Sequence, residues 1–241
     1  ATPGTVCAGA QVQLNAGARG GSGTNTYLWT SDPAGFTSTL ANPIANPTIN
    51  TLYNLQVNDG FTTVNAQVSV TVNPLPVVNL PSAGPYCVNA AAVQLNGSPG
   101  GGLYSGTGVS ASGLFTPATA GPGSHVITYI FTDASSCTNS ATTTITVNAL
   151  PAQPTISAGG PTTFCAGGSV TLTSSSASGY SWSTGSTSQS IVVNSTGSYT
   201  VRVTDGNACQ SAASEATLVT VNALPVVDAG TDATIPYGTA A

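Results

Sequence analysis

A short phrase, Thr-Val-Asn-x-Leu-Pro, occurs three times in the chain and constrains its fold more than any other feature. The copies occupy residues 71–76, 146–151 and 220–225. They begin about 75 residues apart, a period typical of a tandem array of small modules. The repeat therefore predicts module 1 (residues 1–73), module 2 (74–148), module 3 (149–222) and a tail (223–241).

Two predicted strands close each module. In module 1, residues 53–58 alternate apolar and polar side chains and stop at Asp59. The same alternation stops at Asp133 in module 2 and at Asp205 in module 3, and a second β-branched run follows each aspartate. Because aspartate and a following glycine favour turns, each aspartate is predicted to mark a hairpin.

An early strand near the start of each module has two apolar residues on one face, at residues 12–14, 93–95 and 170–172. No segment has a helical period of useful length. Many short strands separated by Gly and Pro predict an all-β fold, with modules that are sandwiches of about seven strands. Trp29 and Trp182 match the buried tryptophan of such sandwiches, with sugar-stacking platforms as the alternative. Module 2 has no tryptophan, so its core must be built differently.

The composition excludes several classes of partner. Charged residues make up 4% of the chain, and the formal charge is −5. Without a basic patch, the chain is not expected to bind nucleic acid or an anionic membrane surface. No apolar run is long enough to cross a bilayer, so no membrane insertion is predicted. A hydrophobic content of 40% argues against disorder.

Four of the five cysteines lie at equivalent positions in modules 2 and 3. Cys87 and Cys165 precede the early strand, and Cys137 and Cys209 follow the turn aspartate. We predict a disulfide within each module, Cys87–Cys137 and Cys165–Cys209, each stabilising it by about 3 to 4 kcal/mol. Paired cysteines indicate an extracellular, oxidising environment. The zinc alternative has no Cys-x-x-Cys spacing to support it.

Cys7 occupies the first of these positions in module 1, but Thr63 stands where its partner is expected. Cys7 is therefore predicted to be a free, buried thiol. A bridge to another molecule is the alternative.

No constellation of residues indicates catalysis or metal binding. His125 is the one histidine of the chain, and no Gly-x-Ser-x-Gly motif accompanies it, so it is interpreted as an ordinary strand-end residue. The turn aspartates lie in separate modules and cannot form a glycosidase pair. The linkers between modules carry no carboxylate for calcium. No cofactor and no metal site are predicted.

Short stretches in all three modules carry a family resemblance. They are residues 20–29, 33–38 and 53–60 in module 1, residues 104–110 and 133–137 in module 2, and residues 165–167 and 180–182 with Cys209 in module 3. Module 1 resembles the PKD-like modules of Bacteroidota surface proteins. Module 2 resembles another repeat of the same giant proteins, and module 3 is similar to their Ig-like repeats.

This resemblance implies a tandem array of three Ig-like or PKD-like β-sandwich modules with an extra C-terminal strand segment. It further implies a large adhesin or filament protein exported by the type IX secretion route. No catalytic residue transfers, because these repeats have none.

The tail repeats the opening of a module. Its Leu-Pro-Val-Val sequence, residues 224–227, parallels residues 75–78, whereas module 1 has no such leading segment. One explanation is that the chain is a fragment of a longer array. The other is that Val226, Val227 and Ile235 form a donor strand that completes the sheet of the next subunit, giving head-to-tail assembly.

Together these features predict a non-enzymatic, extracellular protein of the cell surface, a segment of a stalk, adhesin or filament built of rigid modules. Its expected partners are further copies of itself and a surface glycan or other cell-surface ligand. The alternative is a set of carbohydrate-binding accessory modules from a secreted polysaccharide-degrading enzyme.

Overall fold

The computed structural model describes residues 4–21, 23–228, 230 and 238. These residues form short β-strands and one helix of 4 residues, so the all-β prediction is confirmed. They divide into two compact units, residues 1–147 and residues 148–241. Unit 1 contains separate hydrophobic cores for modules 1 and 2, and unit 2 contains the core of module 3. The boundaries at residues 74 and 223 stay predictions.

Module 1 is a sandwich of a five-stranded sheet and a strand pair. Its strands are β1 (Thr5–Cys7), β2 (Val12–Gln13), β3 (Thr26–Asp32), β4 (Thr37–Ser38), β5 (Ile44–Ala45), β6 (Thr51–Asn58) and β7 (Thr63–Asn73). The sheet order is β1-β7-β6-β3-β4, and β2 pairs with β5. The alternating residues of β6 bury Tyr53, Leu55 and Val57 against Trp29 from β3 and Leu14.

Module 2 repeats this arrangement with a short helix. Its elements are β8 (Tyr86–Cys87), β9 (Val93–Gln94), β10 (Leu103–Ser105), β11 (Leu114–Phe115), α1 (Pro117–Ala120), β12 (Gly123–Thr132) and β13 (Thr138–Asn148). One sheet has the order β10-β12-β13-β8, and β9 pairs with β11. Leu80, Phe115, Ile127 and Ile145 are buried between them.

Module 3 has the same plan in shorter strands. They are β14 (Ile156–Ala158), β15 (Thr163–Cys165), β16 (Val170–Ser174), β17 (Gly179–Trp182), β18 (Ser190–Val193), β19 (Gly197–Tyr199), β20 (Val201–Thr204) and β21 (Thr217–Asn222). The orders are β14-β16-β18, β15-β21-β19 and β17-β20. Among the residues described, no helix has the length and hydropathy needed to cross a bilayer.

Both tryptophans pack in cores, as predicted. Trp29 is 2% exposed and Trp182 is 3% exposed. The Trp182 indole Nε1 donates a hydrogen bond to the Ser188 carbonyl at 2.8 Å. The Trp29 Nε1 is buried and has no acceptor among the residues described. The core of module 1 thus leaves one polar group unsatisfied.

A pair of tyrosines replaces the missing tryptophan of module 2. The ring centroids of Tyr104 and Tyr129 lie 4.6 Å apart. Tyr129 is 1% exposed, and its hydroxyl donates to the Pro99 carbonyl and accepts the Gly102 N–H at 2.8 Å. A β-carbon at Gly102 would lie 2.5 Å from Tyr129 Cζ, so this close approach requires glycine.

The first strand of module 1 runs parallel to the last. Thr5 of β1 pairs with Thr71 of β7, and Cys7 pairs with Asn73. Cys7 therefore lies at the end of module 1 where the chain continues into module 2. This position decides which cysteines can meet.

Candidate functional site: a disulfide between modules and an open strand edge

The disulfide that the structure defines joins two modules. Cys7 of module 1 is bonded to Cys137 of module 2, with a Cα–Cα distance of 5.5 Å. The predictions of a Cys87–Cys137 bond and of a free thiol at Cys7 are therefore wrong. The alternative, a bridge from Cys7 to another molecule, is also wrong, because the partner of Cys7 lies in the same chain.

The physical reason is that the two cysteines of module 2 lie near opposite ends of its sheet. Cys137 directly precedes β13, a strand of 11 residues and so about 35 Å long. Cys87 ends β8, which lies beside β13. A β-carbon at Gly84 would lie 3.4 Å from Ile145 Cγ2, which places the start of this segment near the far end of β13. A disulfide needs Cα atoms within about 7 Å.

The same geometry separates the cysteines of module 3. Cys165 pairs with Asn222 at the end of β21. Cys209 lies in the loop that follows β20, at the other end of the module. After Cys209 the chain runs back along β20, where the Ser211 N–H donates to the Val203 carbonyl. The predicted Cys165–Cys209 bond is therefore wrong. Cys165 is free and exposed, whereas Cys87 and Cys209 are disulfide-bonded.

The same loop geometry holds the second cysteine in modules 2 and 3. The Asp133 carboxylate accepts the Ser135 N–H at 2.8 Å and the Cys137 N–H at 2.9 Å. In module 3, Asp205 accepts the N–H groups of Asn207 and Cys209, both at 2.9 Å. The predicted hairpin aspartates thus fix the backbone that carries each cysteine.

Replacing Asp133 with Ala is expected to lower the free energy of unfolding of unit 1 by about 1 to 3 kcal/mol, because two N–H groups lose a charged acceptor. Urea denaturation followed by circular dichroism measures the change. The Asp133→Asn variant keeps an oxygen acceptor and is expected to lie between the wild type and Asp133→Ala. An alanine variant as stable as the wild type would show that this loop does not depend on the carboxylate.

The equivalent loop of module 1 is one residue shorter and carries no cysteine. Strands β6 and β7 pair through Asn58 and Thr63, which leaves residues 59–62 in the loop. Strands β12 and β13 pair through Thr132 and Thr138, which leaves residues 133–137. Thr63 is therefore the first residue of β7 and not a loop residue. The loop of module 1 instead presents Phe61, which is 79% exposed.

Among the residues that the structure describes, the titratable side chains do not converge on a reaction centre. His125 lies on β12, and its Nε2 is 2.8 Å from the Gly121 carbonyl, an ordinary structural contact. In the described part of the chain, no group of three or more His, Cys, Asp or Glu could hold a metal ion. Burial raises the pKa of the Tyr53 phenol, which packs edge-on against Phe36 with ring centroids 5.4 Å apart.

Strand β2 of module 1 has one unpaired edge. Leu14 and Ala16 N–H groups donate to the carbonyls of Pro43 and Ala41, on the side of β5. Within residues 4–21 and 23–228, no strand pairs with the opposite side of β2. In module 3 the equivalent edge, on β16, is covered by β14. Sequence analysis did not predict this edge.

A cavity of about 110 Å³ lies beside this edge. It is lined by Asn15 and Ala16 from the edge, by Trp29 and Leu55 from the sheet, and by residues 66–68 of β7. On the same face of β7, Val70 is 1% exposed but Val64 is 61% exposed. The core of module 1 is thus closed at one end and open at the other.

The tail residues predicted to form a donor strand are apolar and uncovered. Val226 is 94% exposed and Val227 is 89% exposed. Ile235, the third predicted member, lies outside the described residues. The structure therefore brings Cys7 and Cys137 of modules 1 and 2 together and leaves Val226 and Val227 exposed.

No protein-family profile and no curated protein sequence matches the chain. Among solved structures, a Ca²⁺-stabilised ice-binding adhesin of an Antarctic bacterium has 14% identity and a TM-score of 0.35, over 91% of this chain and 71% of that chain. An I-band fragment of titin has 10% identity and a TM-score of 0.34, over 92% and 95%. A 1.5-MDa bacterial ice-binding adhesin has 11% identity and a TM-score of 0.32, over 92% and 95%. Similarities this low carry no conclusion about function.

Proposed function

We propose that the chain is a non-enzymatic, extracellular structural protein, a rigid segment of a cell-surface stalk, adhesin or filament. The observation that carries this proposal is the Cys7–Cys137 bond, which links one module to the next. A bond within a module would stabilise that module alone. A bond across the junction also limits bending between modules, which is the property that a spacer requires.

Two further features support this role. Disulfides persist in oxidising compartments, which is consistent with the cell surface. At the same junction, Asn139 Nδ2 donates to the carbonyl of Pro76 in the linker at 2.9 Å. Covalent, hydrogen-bonded and proline restraints therefore act together at one hinge. The sequence resemblance adds the finer proposal of a Bacteroidota protein exported by the type IX route, assembling head to tail.

The test measures the width of the distance distribution between spin labels on the two modules by pulsed electron paramagnetic resonance. Labels attached through unnatural amino acids at Thr30 and Thr144, both exposed, avoid cysteine chemistry. The oxidised protein is expected to give a narrow distribution. In the Cys7→Ser variant it is expected to widen at least about twofold, since the short linker is freed to hinge. Equal widths would contradict the spacer role of the bond.

The carbohydrate-binding alternative requires an exposed row of aromatic side chains. Both tryptophans are buried, and Phe61 is the exposed aromatic residue of the described chain. Titration with polysaccharides is therefore expected to leave tryptophan fluorescence unchanged. Saturable quenching would favour the alternative, and a surface glycan would then be the ligand.

A further inference from the structure

We infer that module 1 binds a single ring of a neutral sugar in a pocket beside Tyr53. This inference rests on the cell-surface role proposed above and adds the chemical class of a ligand. It is supported by a buried tyrosine whose hydroxyl has no partner in the chain, by the way modules 2 and 3 fill the equivalent space, and by the uncharged lining of the pocket.

The pocket lies between two segments of module 1 and has a volume of about 260 Å³. One wall is formed by residues 33–36, which follow β3, and the other by residues 46–49, which follow β5. Tyr53 of β6 also lines the pocket. All of the lining residues lie between residues 31 and 53, so the pocket is complete within module 1.

Tyr53 is buried, but its hydroxyl is unpaired. The side chain is 2% exposed, and its hydroxyl makes no hydrogen bond to any residue that the structure describes. Among those residues the polar side-chain atom that lacks both a partner and contact with solvent is Trp29 Nε1, so the Tyr53 hydroxyl is open to the pocket. Burial raises the pKa of this phenol, which therefore keeps its proton at neutral pH. The hydroxyl can donate to a ligand and accept from it.

The equivalent tyrosine of module 3 has a partner within its own module. Tyr199 and Tyr53 each lie six residues before the turn aspartate of their module. The Tyr199 hydroxyl donates to the Ser195 carbonyl at 2.9 Å. After the paired strand, module 3 reads Asn-Ser-Thr and module 1 reads Asn-Pro-Thr, so Pro47 replaces Ser195. The Pro47 carbonyl accepts the Gly9 N–H at 2.8 Å instead, which leaves the tyrosine of module 1 without its internal partner.

Module 2 closes the equivalent space. Ile127 takes the place of Tyr53 and is 0% exposed. The Thr116 N–H donates to the Gly108 carbonyl at 2.8 Å, and a β-carbon at Gly108 would lie 2.5 Å from Ala120 Cβ. The loop after β10 thus packs directly on the segment that contains α1. In module 1 no hydrogen bond among the described residues joins the two walls, and the gap between them is the pocket.

The lining combines apolar surface with three free hydrogen-bonding groups. Its apolar residues are Pro33, Phe36, Pro47 and Ile49. The groups without a partner among the described residues are Asn46 Oδ1 and the hydroxyls of Thr48 and Tyr53. No lining residue is charged, so an ionised ligand would lose its hydration without gaining an opposite charge. A sugar ring fits this lining, because its carbon–hydrogen faces are apolar and its hydroxyls both donate and accept.

The volume limits the ligand to one ring. Sites for drug-sized ligands measure roughly 300 to 1,000 Å³, and this pocket is smaller. With the binding energy per atom that is usual for small ligands, a ring of about twelve heavy atoms is expected to bind with a Kd of about 1 to 10 mM. The pocket differs from the exposed aromatic row of a polysaccharide-binding module, and neither tryptophan lines it.

The test follows the backbone amide signals of the full chain by ¹⁵N NMR during titration with sugars. The probes are the methyl α- and β-glycosides of glucose, galactose, mannose and N-acetylglucosamine. At least one is expected to shift the Phe36 and Thr48 signals saturably, with a Kd of about 1 to 10 mM. The Thr196 signal, from the position of module 3 that corresponds to Thr48, is expected to stay in place. Unmoved Phe36 and Thr48 signals at about 50 mM of every glycoside would overturn the inference.

Two tyrosine variants form a matched pair. Tyr53→Phe removes a hydroxyl without a partner in the chain, so it is expected to keep the urea midpoint and to weaken sugar binding about three- to tenfold. Tyr199→Phe removes the same group from module 3, where it is hydrogen-bonded, and is expected to lower the midpoint of that module and to leave binding unchanged. Pro47→Ser restores the partner found in module 3 and is expected to weaken binding as well. Equal affinities of Tyr53→Phe and the wild type would contradict the inference.

Two further probes identify the source of the ring. A disaccharide with the preferred ring at its non-reducing end binds at least as tightly as the methyl glycoside if the source is the end of a glycan. A disaccharide that does not bind assigns the pocket to a free monosaccharide, and both results support the inference. Shifts caused by the uncharged peptide acetyl-Pro-Pro-Pro-Pro-amide and by no glycoside would overturn it. The label distances test the spacer role without sugar, so the two proposals can fail independently.

Discussion

Replacing both Cys7 and Cys137 with Ser is expected to lower the free energy of unfolding of residues 1–147 by up to about 5 kcal/mol. The bond joins residues separated by 130 positions. In the chain-entropy treatment, closing a loop of that size lowers the conformational entropy of the unfolded chain, which is equivalent to about 5 kcal/mol of stability. Urea denaturation followed by circular dichroism measures the change. Modules 1 and 2 are expected to unfold in two separate transitions in the variant, because they then share fewer restraints.

The matched control is the Cys165→Ser variant, which removes a free thiol and no bond. It is expected to unfold like the wild type. If the double variant and the control have the same midpoint, the bond contributes nothing to stability and acts on orientation alone. Reduction of the wild type should reproduce the double variant in residues 1–147.

Replacing Tyr129 with Ala is expected to destabilise unit 1 by about 3 to 5 kcal/mol, the cost of removing a large, fully buried side chain. The ring packs against Tyr104 with centroids 4.6 Å apart, and its hydroxyl donates to the Pro99 carbonyl and accepts the Gly102 N–H. Thermal and chemical unfolding of the full chain measure the loss, and the transition of module 3 serves as an internal reference.

Two variants separate the causes of this effect. Tyr129→Phe keeps the ring and is expected to cost about 1 to 3 kcal/mol, since the Gly102 N–H and the Pro99 carbonyl lose their partner. Ile130→Ala changes the neighbouring residue, which is 40% exposed, and is expected to cost less than about 1 kcal/mol. A Tyr129→Ala effect no larger than that of Ile130→Ala would mean that the tyrosine pair is not part of the core.

Much of the fold was predictable because its signals are local. The alternation over residues 53–58 becomes the buried and exposed faces of β6, and the three turn aspartates lie in hairpin loops. The tyrosine pair of module 2 was not predicted, because it depends on glycines that let Tyr129 approach the backbone. Nothing in the sequence around Tyr129 alone signals that approach.

The disulfide prediction failed because equivalent positions were treated as neighbours. The two cysteines that recur in modules 2 and 3 can pair within a module or across a junction, and spacing does not distinguish these patterns. The distinction depends on β1 running parallel to β7, which places Cys7 beside Asn73. The available signal for this pairing was the similarity between residues 5–7 and residues 163–165. Each of these strands pairs with a copy of the Thr-Val-Asn phrase.

The Cys7–Cys137 bond also determines how the molecule responds to tension. A pulling force that enters at the start of β1 passes through the two sulfur atoms and leaves along β13. The 130 positions between the two cysteines lie off this load path, so about 430 Å of chain cannot be drawn out while the bond is intact. A chain built in this way keeps its length under tension even when the residues between the two cysteines lose their packing.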